Sequence, residues 1–149
     1  MTIFLGADHR GFELKERIKA WLQEQGYGVE DIGAHALNSD DDYPDFALAV
    51  AEKVAQNPQG HRGLLLCGSG VGISVAANKI KGVRASLIPS PEIARMARND
   101  EDINVMSLSG DFTDFETAKK IIGVFLETPF SAEERHQRRV GKIAQYEHS

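Results

Sequence analysis

Short apolar runs alternate with longer amphipathic stretches along the 149-residue chain, and this alternation constrains its fold more than any other feature. Strands that alternate with helices are typical of βαβ units around a parallel sheet. The five runs that we interpret as buried strands are Ile3–Leu5, Val29–Ile32, Gly63–Cys67, Val83–Ile88 and Val105–Leu108. We therefore predict an α/β domain, a Rossmann-like three-layer architecture with a five-stranded parallel sheet.

Polar residues at fixed spacing predict where several helices begin. Ser90 precedes a proline, a combination that is common at the first turn of a helix. Thr113 and Ser131 are each followed three residues later by a glutamate, which is the spacing of a capping box. We therefore expect these three residues to cap the last three helices.

Charge and cysteine content exclude several classes of protein. The 17 basic and 22 acidic residues give a net charge of -5, the wrong sign for a chain whose partner is a nucleic acid. Cys67 is the single cysteine, so no disulfide can form within the chain. We find no signal segment and no run of about 18 apolar residues. We expect a soluble, cytoplasmic, single-domain protein over residues 1–149 that binds neither membrane nor nucleic acid.

The turn after the third predicted strand holds Gly68, Gly70 and Gly72, where a ligand of an open parallel sheet is expected to bind. Such a turn brings backbone amides close to an anion. Ile73 stands where a dinucleotide-binding fingerprint needs glycine and where a cysteine phosphatase needs arginine. The Gly-Lys-Ser/Thr of a nucleotide-triphosphate loop is absent, and a receiver domain would need aspartate in place of Cys67. We predict an anion-binding turn of another kind.

Cys67 lies at the mouth of this turn, where amides favour a thiolate over a thiol. A cysteine at the end of an apolar strand is commonly inert packing, so two interpretations stay open at this point. With Ser69 beside the thiol and amides placed for an oxyanion, the turn suits proton abstraction next to a carbonyl. Nucleophilic attack would need a nearby general base, for which His9 is the only histidine at a strand end.

Four motifs resemble one family along essentially the whole chain: the type B ribose-5-phosphate isomerases and the related galactose-6-phosphate isomerase subunits. The motifs are residues 6–12 (GADHRGF), 42–45 (DYPD), 67–79 (CGSGVGISVAANK) and 135–140 (RHQRRV). They occur in the family's order and together are highly specific. The resemblance implies an aldose–ketose isomerase that acts on a sugar or sugar phosphate without a metal or an organic cofactor.

The resemblance also implies roles for individual residues. Cys67 would shuttle a proton between the two carbons of the enediol, and Ser69, usually threonine in the family, would help to move the oxygen-bound proton. Asp8, His9 and Tyr43 match residues that line the sugar and phosphate site. The residues of the turn that would hold the oxyanion or substrate through their amides are Gly68, Gly70, Val71, Gly72 and Ile73.

The C-terminal helix, within residues 130–149, is expected to reach a partner subunit. Arg135 and Arg139 lie four residues apart and therefore on one helix face. They match phosphate-binding arginines that enter the partner's site in the family. The resemblance thus implies a homodimer with shared sites, and it allows a dimer of dimers.

Three acidic residues depart from the family pattern. Asp100 falls at the position of a histidine that opens the sugar ring, and Glu101 at that of an asparagine that binds substrate oxygens. An ordinary carboxylic acid is ionised at neutral pH and donates no proton. Asp111 replaces an arginine that contacts phosphate, and it would repel that phosphate. We keep Asp100 among the catalytic positions and Glu101 among the substrate-binding ones.

These observations predict an isomerase that follows the family's chemistry on ribose 5-phosphate or on a different sugar. Three substrates stay open. They are a four-carbon aldose 4-phosphate, an unphosphorylated sugar whose hydroxyls bind the acidic residues, and a pentose or hexose phosphate whose ring is opened by His9 or Asp100. The alternative is a catalytically silent sugar-phosphate-binding protein, or one subunit of a heteromeric isomerase.

Overall fold

The computed structural model describes residues 1–148, in which a sheet of five strands is flanked by six helices. The strands are β1 (Thr2–Ala7), β2 (Gly28–Gly33), β3 (His61–Cys67), β4 (Ala85–Leu87) and β5 (Val105–Ser109). The helices are α1 (Phe12–Glu24), α2 (Tyr43–Ala55), α3 (Val71–Ala77), α4 (Pro91–Glu101), α5 (Phe115–Glu127) and α6 (Glu134–Glu147). The strand order is β2-β1-β3-β5-β4, and every neighbouring pair is parallel. No helix within these residues is both long and apolar enough to cross a membrane.

Helices cover both faces of the sheet. Successive residues of β3 point to opposite faces, so Leu64 and Leu66 enter the core beneath α1, α4 and α5. Leu65 enters the second core, beneath α2 and α3. An apolar run without polar alternation is typical of a strand that is buried on both faces. The predicted α/β three-layer architecture is confirmed.

β4 is shorter than predicted and forms one edge of the sheet. It spans Ala85–Leu87 instead of Val83–Ile88. The amide of Val83 bonds to the carbonyl of Ile80 at 3.1 Å, which places it in the preceding turn. Val83 and Ile88 are nevertheless only 2% and 0% exposed. A buried apolar residue beside a strand produces the same sequence pattern as a residue within it.

The predicted cap of α4 is confirmed, whereas that of α5 is wrong. The side chain of Ser90 accepts a hydrogen bond from the amide of Ile93 at 3.2 Å. α5 is capped by Asp114 instead of Thr113, and Asp114 accepts from the amide of Thr117 at 2.8 Å. This hydrogen bond holds the pKa of Asp114 below its ordinary value. Aspartate is a stronger N-cap than threonine, so the helix begins one residue later.

The predicted cap of α6 is also wrong. The hydroxyl of Ser131 bonds to Nδ1 of His136 at 2.7 Å, and the helix begins after Glu133. The same oxygen accepts from the amide of Glu133 at 3.3 Å, so Ser131 lies ahead of the first helical turn and does not cap it. Ser149, the last residue of the predicted domain and of the predicted C-terminal segment, lies outside the described residues.

A buried lysine joins α1 to the end of β2. The side chain of Lys15 is 0% exposed, and its ammonium contacts the two carboxylate oxygens of Asp31 at 2.7 and 2.9 Å. It also donates to the carbonyl of Ala34 at 2.7 Å and lies 3.0 Å from Glu16. Burial alone would raise the pKa of Asp31, but hydrogen bonds from Lys15 and Lys19 outweigh it and lower this pKa. The network anchors the start of the loop that leads to α2.

Candidate active site

The segments that follow β1 and β3, together with the start of α2, enclose a cavity of about 280 Å³ at the carboxyl ends of the strands. Its lining residues are Asp8, Arg10, Tyr43, Cys67, Gly68, Ser69, Val71 and Gly72. All except Arg10 are predicted site residues. Cavities of about 380 Å³ lie against α6 and against α1, but neither contains the thiol. The cavity of about 280 Å³ is therefore the candidate active site, because it contains both Cys67 and Ser69.

Cys67 ends β3 with its sulfur on the glycine-rich turn. The residue is 4% exposed, and the amide of Gly70 donates to Sγ at 3.2 Å. An anionic sulfur accepts such a bond more strongly than a neutral thiol does. Ser69 is exposed, and its Oγ accepts from the amide of Val71 at 3.2 Å. The thiol and the hydroxyl therefore share one cavity, and each accepts a hydrogen bond from the turn.

Two serines of β5, which sequence reasoning missed, hold this turn in place. Ser109 donates through Oγ to the carbonyl of Gly68, and Ser107 donates to that of Gly70, both at 2.6 Å. In a trans peptide the amide of the next residue points opposite to the carbonyl. Binding these carbonyls to β5 therefore directs the amides that follow them away from the sheet.

Glycine is required at two positions of the turn. Gly70 has φ +79°, and a Cβ there would lie 2.9 Å from the carbonyl carbon of Leu108. At Gly72 a Cβ would lie 2.7 Å from Cζ of Tyr43, so the tyrosine ring packs directly on the first turn of α3. These glycines thus shape the turn and admit Tyr43 to the cavity.

Asp8 is a buried carboxyl group on the same cavity. It is 5% exposed, and its Oδ1 accepts hydrogen bonds from the amides of Arg10 and Gly11 at 3.0 and 3.2 Å. Burial raises the pKa of Asp8, and the two amides oppose this rise without cancelling it. A carboxyl group in this setting can bind a sugar hydroxyl or exchange a proton.

His9 and Asp41 form a hydrogen-bonded pair next to Asp8. Nδ1 of His9 lies 2.8 Å from Oδ1 of Asp41, and the same oxygen accepts from the His9 amide at 2.9 Å. The hydrogen bond to Asp41 raises the pKa of His9. The three side chains bring one ligand atom each within 4.8 Å of one another, a spacing suited to a metal ion. Nδ1 of His9 and Oδ1 of Asp41 bond to each other, whereas Oδ2 of Asp41 is buried without a hydrogen-bond partner among the described residues. The metal-free site stays a prediction.

The imidazole of His9 is expected to titrate above the ordinary histidine range, because the Asp41 carboxylate stabilises its protonated form. Asp41→Asn should return this pKa toward the ordinary value. Two-dimensional NMR of the ring protons against pH measures both, with His9→Gln used to assign the resonance. An identical titration in wild type and Asp41→Asn would show that the pair is not formed in solution.

Arg10 is a cavity residue that sequence reasoning missed. Its guanidinium forms an ion pair with Asp111, on the loop after β5, and this bond raises the pKa of Arg10. The group lies against the turn, since a Cβ at Gly68 would overlap it. The sequence pattern predicts that Asp111 repels a phosphate group. In the structure the guanidinium of Arg10 balances the charge of this carboxylate.

The family model of the ribose/galactose isomerases matches residues 3–143. The chain belongs to the ribose/galactose isomerase family. Its curated relatives include a probable ribose-5-phosphate isomerase B of Mycoplasma genitalium, 43% identical over 98% of this chain and 95% of the relative. The ribose-5-phosphate isomerase B of Mycobacterium tuberculosis is 40% identical over 99% of this chain and 90% of the relative.

Solved structures of the family share the whole fold. Ribose-5-phosphate isomerase B of Mycoplasma genitalium with bound ribulose-5-phosphate matches with a TM-score of 0.96 at 42% identity, over 99% of this chain and 97% of that one. The enzyme of Clostridium thermocellum matches with a TM-score of 0.94 at 41% identity, over 99% and 98%. The predicted family and the predicted enzyme class, an aldose–ketose isomerase, are confirmed at the level of the family.

Asp100 and Glu101 do not line the Cys67 cavity of their own chain. They end α4 and line a separate cavity of about 260 Å³. Asp100 accepts a hydrogen bond from Asn99 at 2.7 Å and lies 3.7 Å from Nε2 of His136. The structure therefore does not bring these two acidic residues to the thiol, and their roles toward substrate stay predictions.

The two predicted phosphate-binding arginines of α6 are also absent from the lining of the Cys67 cavity. Arg135 and Arg139 are exposed, and Arg135 contacts Glu133 at 3.1 Å. α6 itself packs against α4, which ends in Asp100. The action of both arginines in a partner's site, and the homodimer itself, stay predictions.

Proposed function

We propose that this protein interconverts a five-carbon aldose phosphate, of the ribose 5-phosphate type, and the corresponding ketose phosphate through an enediolate. The observation that carries the proposal is the Cys67 sulfur, which accepts a hydrogen bond from Gly70 on a cavity shared with Ser69. Support for the substrate comes from relatives named ribose-5-phosphate isomerase B, one of them solved with bound ribulose-5-phosphate.

Cys67 is the base of the proposed reaction. Its thiolate takes the proton from C2 of the open-chain aldose, and the released electron pair forms an enediolate with its charge on the C1 oxygen. Ser69 passes the proton of the C2 hydroxyl to the C1 oxygen. The thiol then returns its proton to C1, which yields the ketose and regenerates the thiolate without any cofactor.

Backbone amides supply the oxyanion site in this proposal. Amides in the first turn of a helix have no acceptor within the helix, so those of Gly72 and Ile73 are available donors at the start of α3. A donor aimed at a developing oxyanion contributes about 3 kcal/mol to catalysis. The side chain of Ile73 is 0% exposed, so it takes part through its amide alone. Asp8 and Tyr43, which line the same cavity, bind the sugar hydroxyls in this proposal.

Ring opening is assigned to His9 in the same proposal. A closed sugar ring needs a proton on the ring oxygen before the carbonyl is released. The bond to Asp41 keeps a larger fraction of His9 protonated at neutral pH than an isolated histidine would show. His9 does not line the cavity itself but directly follows Asp8, which does. Asp100, at the position of the family's ring-opening histidine, lies on a separate cavity at the end of α4.

Ribose 5-phosphate incubated with the protein in heavy water is expected to give ribulose 5-phosphate with deuterium at C1. The deuterium enters because a proton held on the thiol exchanges with solvent before it returns. Proton NMR follows the label, with EDTA present because the proposed step needs no metal. The same experiment is run with a panel of other sugars: four-carbon aldose 4-phosphates, hexose phosphates and free ribose. These represent the other substrates that the sequence leaves open.

A catalytically silent sugar-phosphate-binding protein, or one subunit of a heteromeric isomerase, is the second candidate. The observation that favours it is that Asp100 stands in place of the family's ring-opening histidine and lies on a cavity separate from that of Cys67. Binding of ribose 5-phosphate without isomerisation or exchange for any sugar of the panel would support this candidate and exclude the first.

A further inference from the structure

We infer that Arg10, held in place by Asp111, binds the phosphate group of the substrate; the inference rests on the proposed function. Arg10 is the only positively charged side chain among the described residues that line the Cys67 cavity. It is 55% exposed, so a ligand in the cavity can reach it. A phosphate monoester carries about two negative charges near neutral pH. Because Asp8 lies on the same cavity and Asp111 already pairs with Arg10, the phosphate has to be held by the N–H donors of Arg10 that Asp111 leaves free.

Two segments, the loop after β5 and the turn after β3, fix the position of Arg10. Asp111, from the loop after β5, accepts a hydrogen bond from Nη2. The backbone of Arg10 packs against the neighbouring Gly110, where a Cβ would overlap the Arg10 carbonyl oxygen. The guanidinium itself lies against Gly68 of the turn, where a Cβ would again overlap. The cation is thus held over the residue that follows the catalytic thiol.

Most of the donors of Arg10 stay available to a ligand. An arginine offers five N–H donors in a planar fork, and within residues 1–148 the guanidinium of Arg10 donates only to Asp111. The remaining donors suffice for a bidentate contact with a phosphate group. Asp111 touches no substrate in this arrangement. It is a positioning residue that keeps the fork over the turn.

Arg10→Gln is expected to raise both the KM for ribose 5-phosphate and the Kd for inorganic phosphate by about 10- to 100-fold, the range for lost charge-assisted hydrogen bonds. kcat should fall much less, since the thiol is untouched. Steady-state kinetics give KM and kcat, and phosphorus NMR titration gives the Kd. Lys120→Gln removes the same charge from an exposed position on α5, and it should change neither constant.

Asp111→Asn tests the positioning role, because it leaves the guanidinium charged but releases it. KM and the phosphate Kd should rise about 3- to 10-fold at unchanged kcat, and Asp111→Glu should restore them. The double variant Arg10→Gln/Asp111→Asn should be no weaker than Arg10→Gln alone, because Asp111 acts only through Arg10. A further loss in the double variant would overturn that role.

A folded Arg10→Gln protein that binds phosphate as tightly as wild type would overturn the inference, whatever its isomerase activity. A wild-type protein that isomerises no sugar would overturn the proposed function instead. The phosphate titration still decides the role of Arg10 in that case, because it needs no turnover. The two failures are therefore distinguishable.

Discussion

Replacement of Cys67 by alanine is expected to lower kcat for ribose 5-phosphate isomerisation by about 10²- to 10⁴-fold, the usual contribution of a positioned general base. The substitution removes only the sulfur that Gly70 binds and that takes the proton in the proposed step. Cys67 is small and buried in the core beneath α2 and α3, and alanine fits the same position. The fold and the phosphate affinity should therefore survive.

The rate of deuterium entry at C1 should fall together with kcat, because both measurements require the same proton transfer. Ser74→Ala is a matched control, since Ser74 is a buried small residue of α3, 8% exposed, that does not line the cavity. The Ser74→Ala protein should isomerise ribose 5-phosphate with the kcat of wild type. A Cys67→Ala protein that exchanges at the wild-type rate would contradict the role of Cys67 as the base.

The sheet was predictable because its signals are local. β3 and β5 are buried on both faces, so their apolar runs stand out without any knowledge of their neighbours. The end of β4 was not predictable, because Val83 and Ile88 are buried outside the strand. A helix cap was missed where a neighbouring group replaced the predicted one, as Asp114 does at the start of α5.

The grouping of candidate site residues was predictable where they are close in sequence. Cys67 and Ser69 flank a glycine within one turn, so their proximity needs no tertiary information. Asp41 and Asp111 were missed as partners of His9 and Arg10, because those contacts join segments 32 and 101 residues apart. The proximity of groups within one segment can thus be predicted from sequence, whereas charge pairing between loops depends on where the sheet places them.

One signal for the serines of β5 was present in the sequence. Ser107 and Ser109 are two residues apart in an otherwise apolar strand, so they share a face. Their carbonyl partners lie on the turn after β3, and Cys67 is in register with Ser109. A polar pair of this kind in a buried strand indicates a hydrogen-bonded neighbour.

Asp31→Asn is expected to lower the free energy of unfolding by about 3–5 kcal/mol, the usual loss when one partner of a buried ion pair is removed. Lys15 is 0% exposed and the side chain of Asp31 is 12% exposed. An amide cannot balance the buried ammonium charge. Because the pKa of Asp31 is lowered in the folded protein, its contribution is present at neutral pH and is lost as the pH falls through that pKa. Urea denaturation should therefore show the difference at pH 7 and a smaller one in acid.

Glu16→Gln is the control for this change, because Glu16 contacts the same ammonium at 3.0 Å but is 36% exposed. It should cost at most about 1 kcal/mol. Equal losses in the two variants would contradict burial as the cause. Lys15→Met with Asp31→Leu removes both charges and should recover much of the stability. Lys15 also holds the carbonyl of Ala34, ahead of the loop that ends at Tyr43, so this double variant is expected to lose activity even where it regains stability.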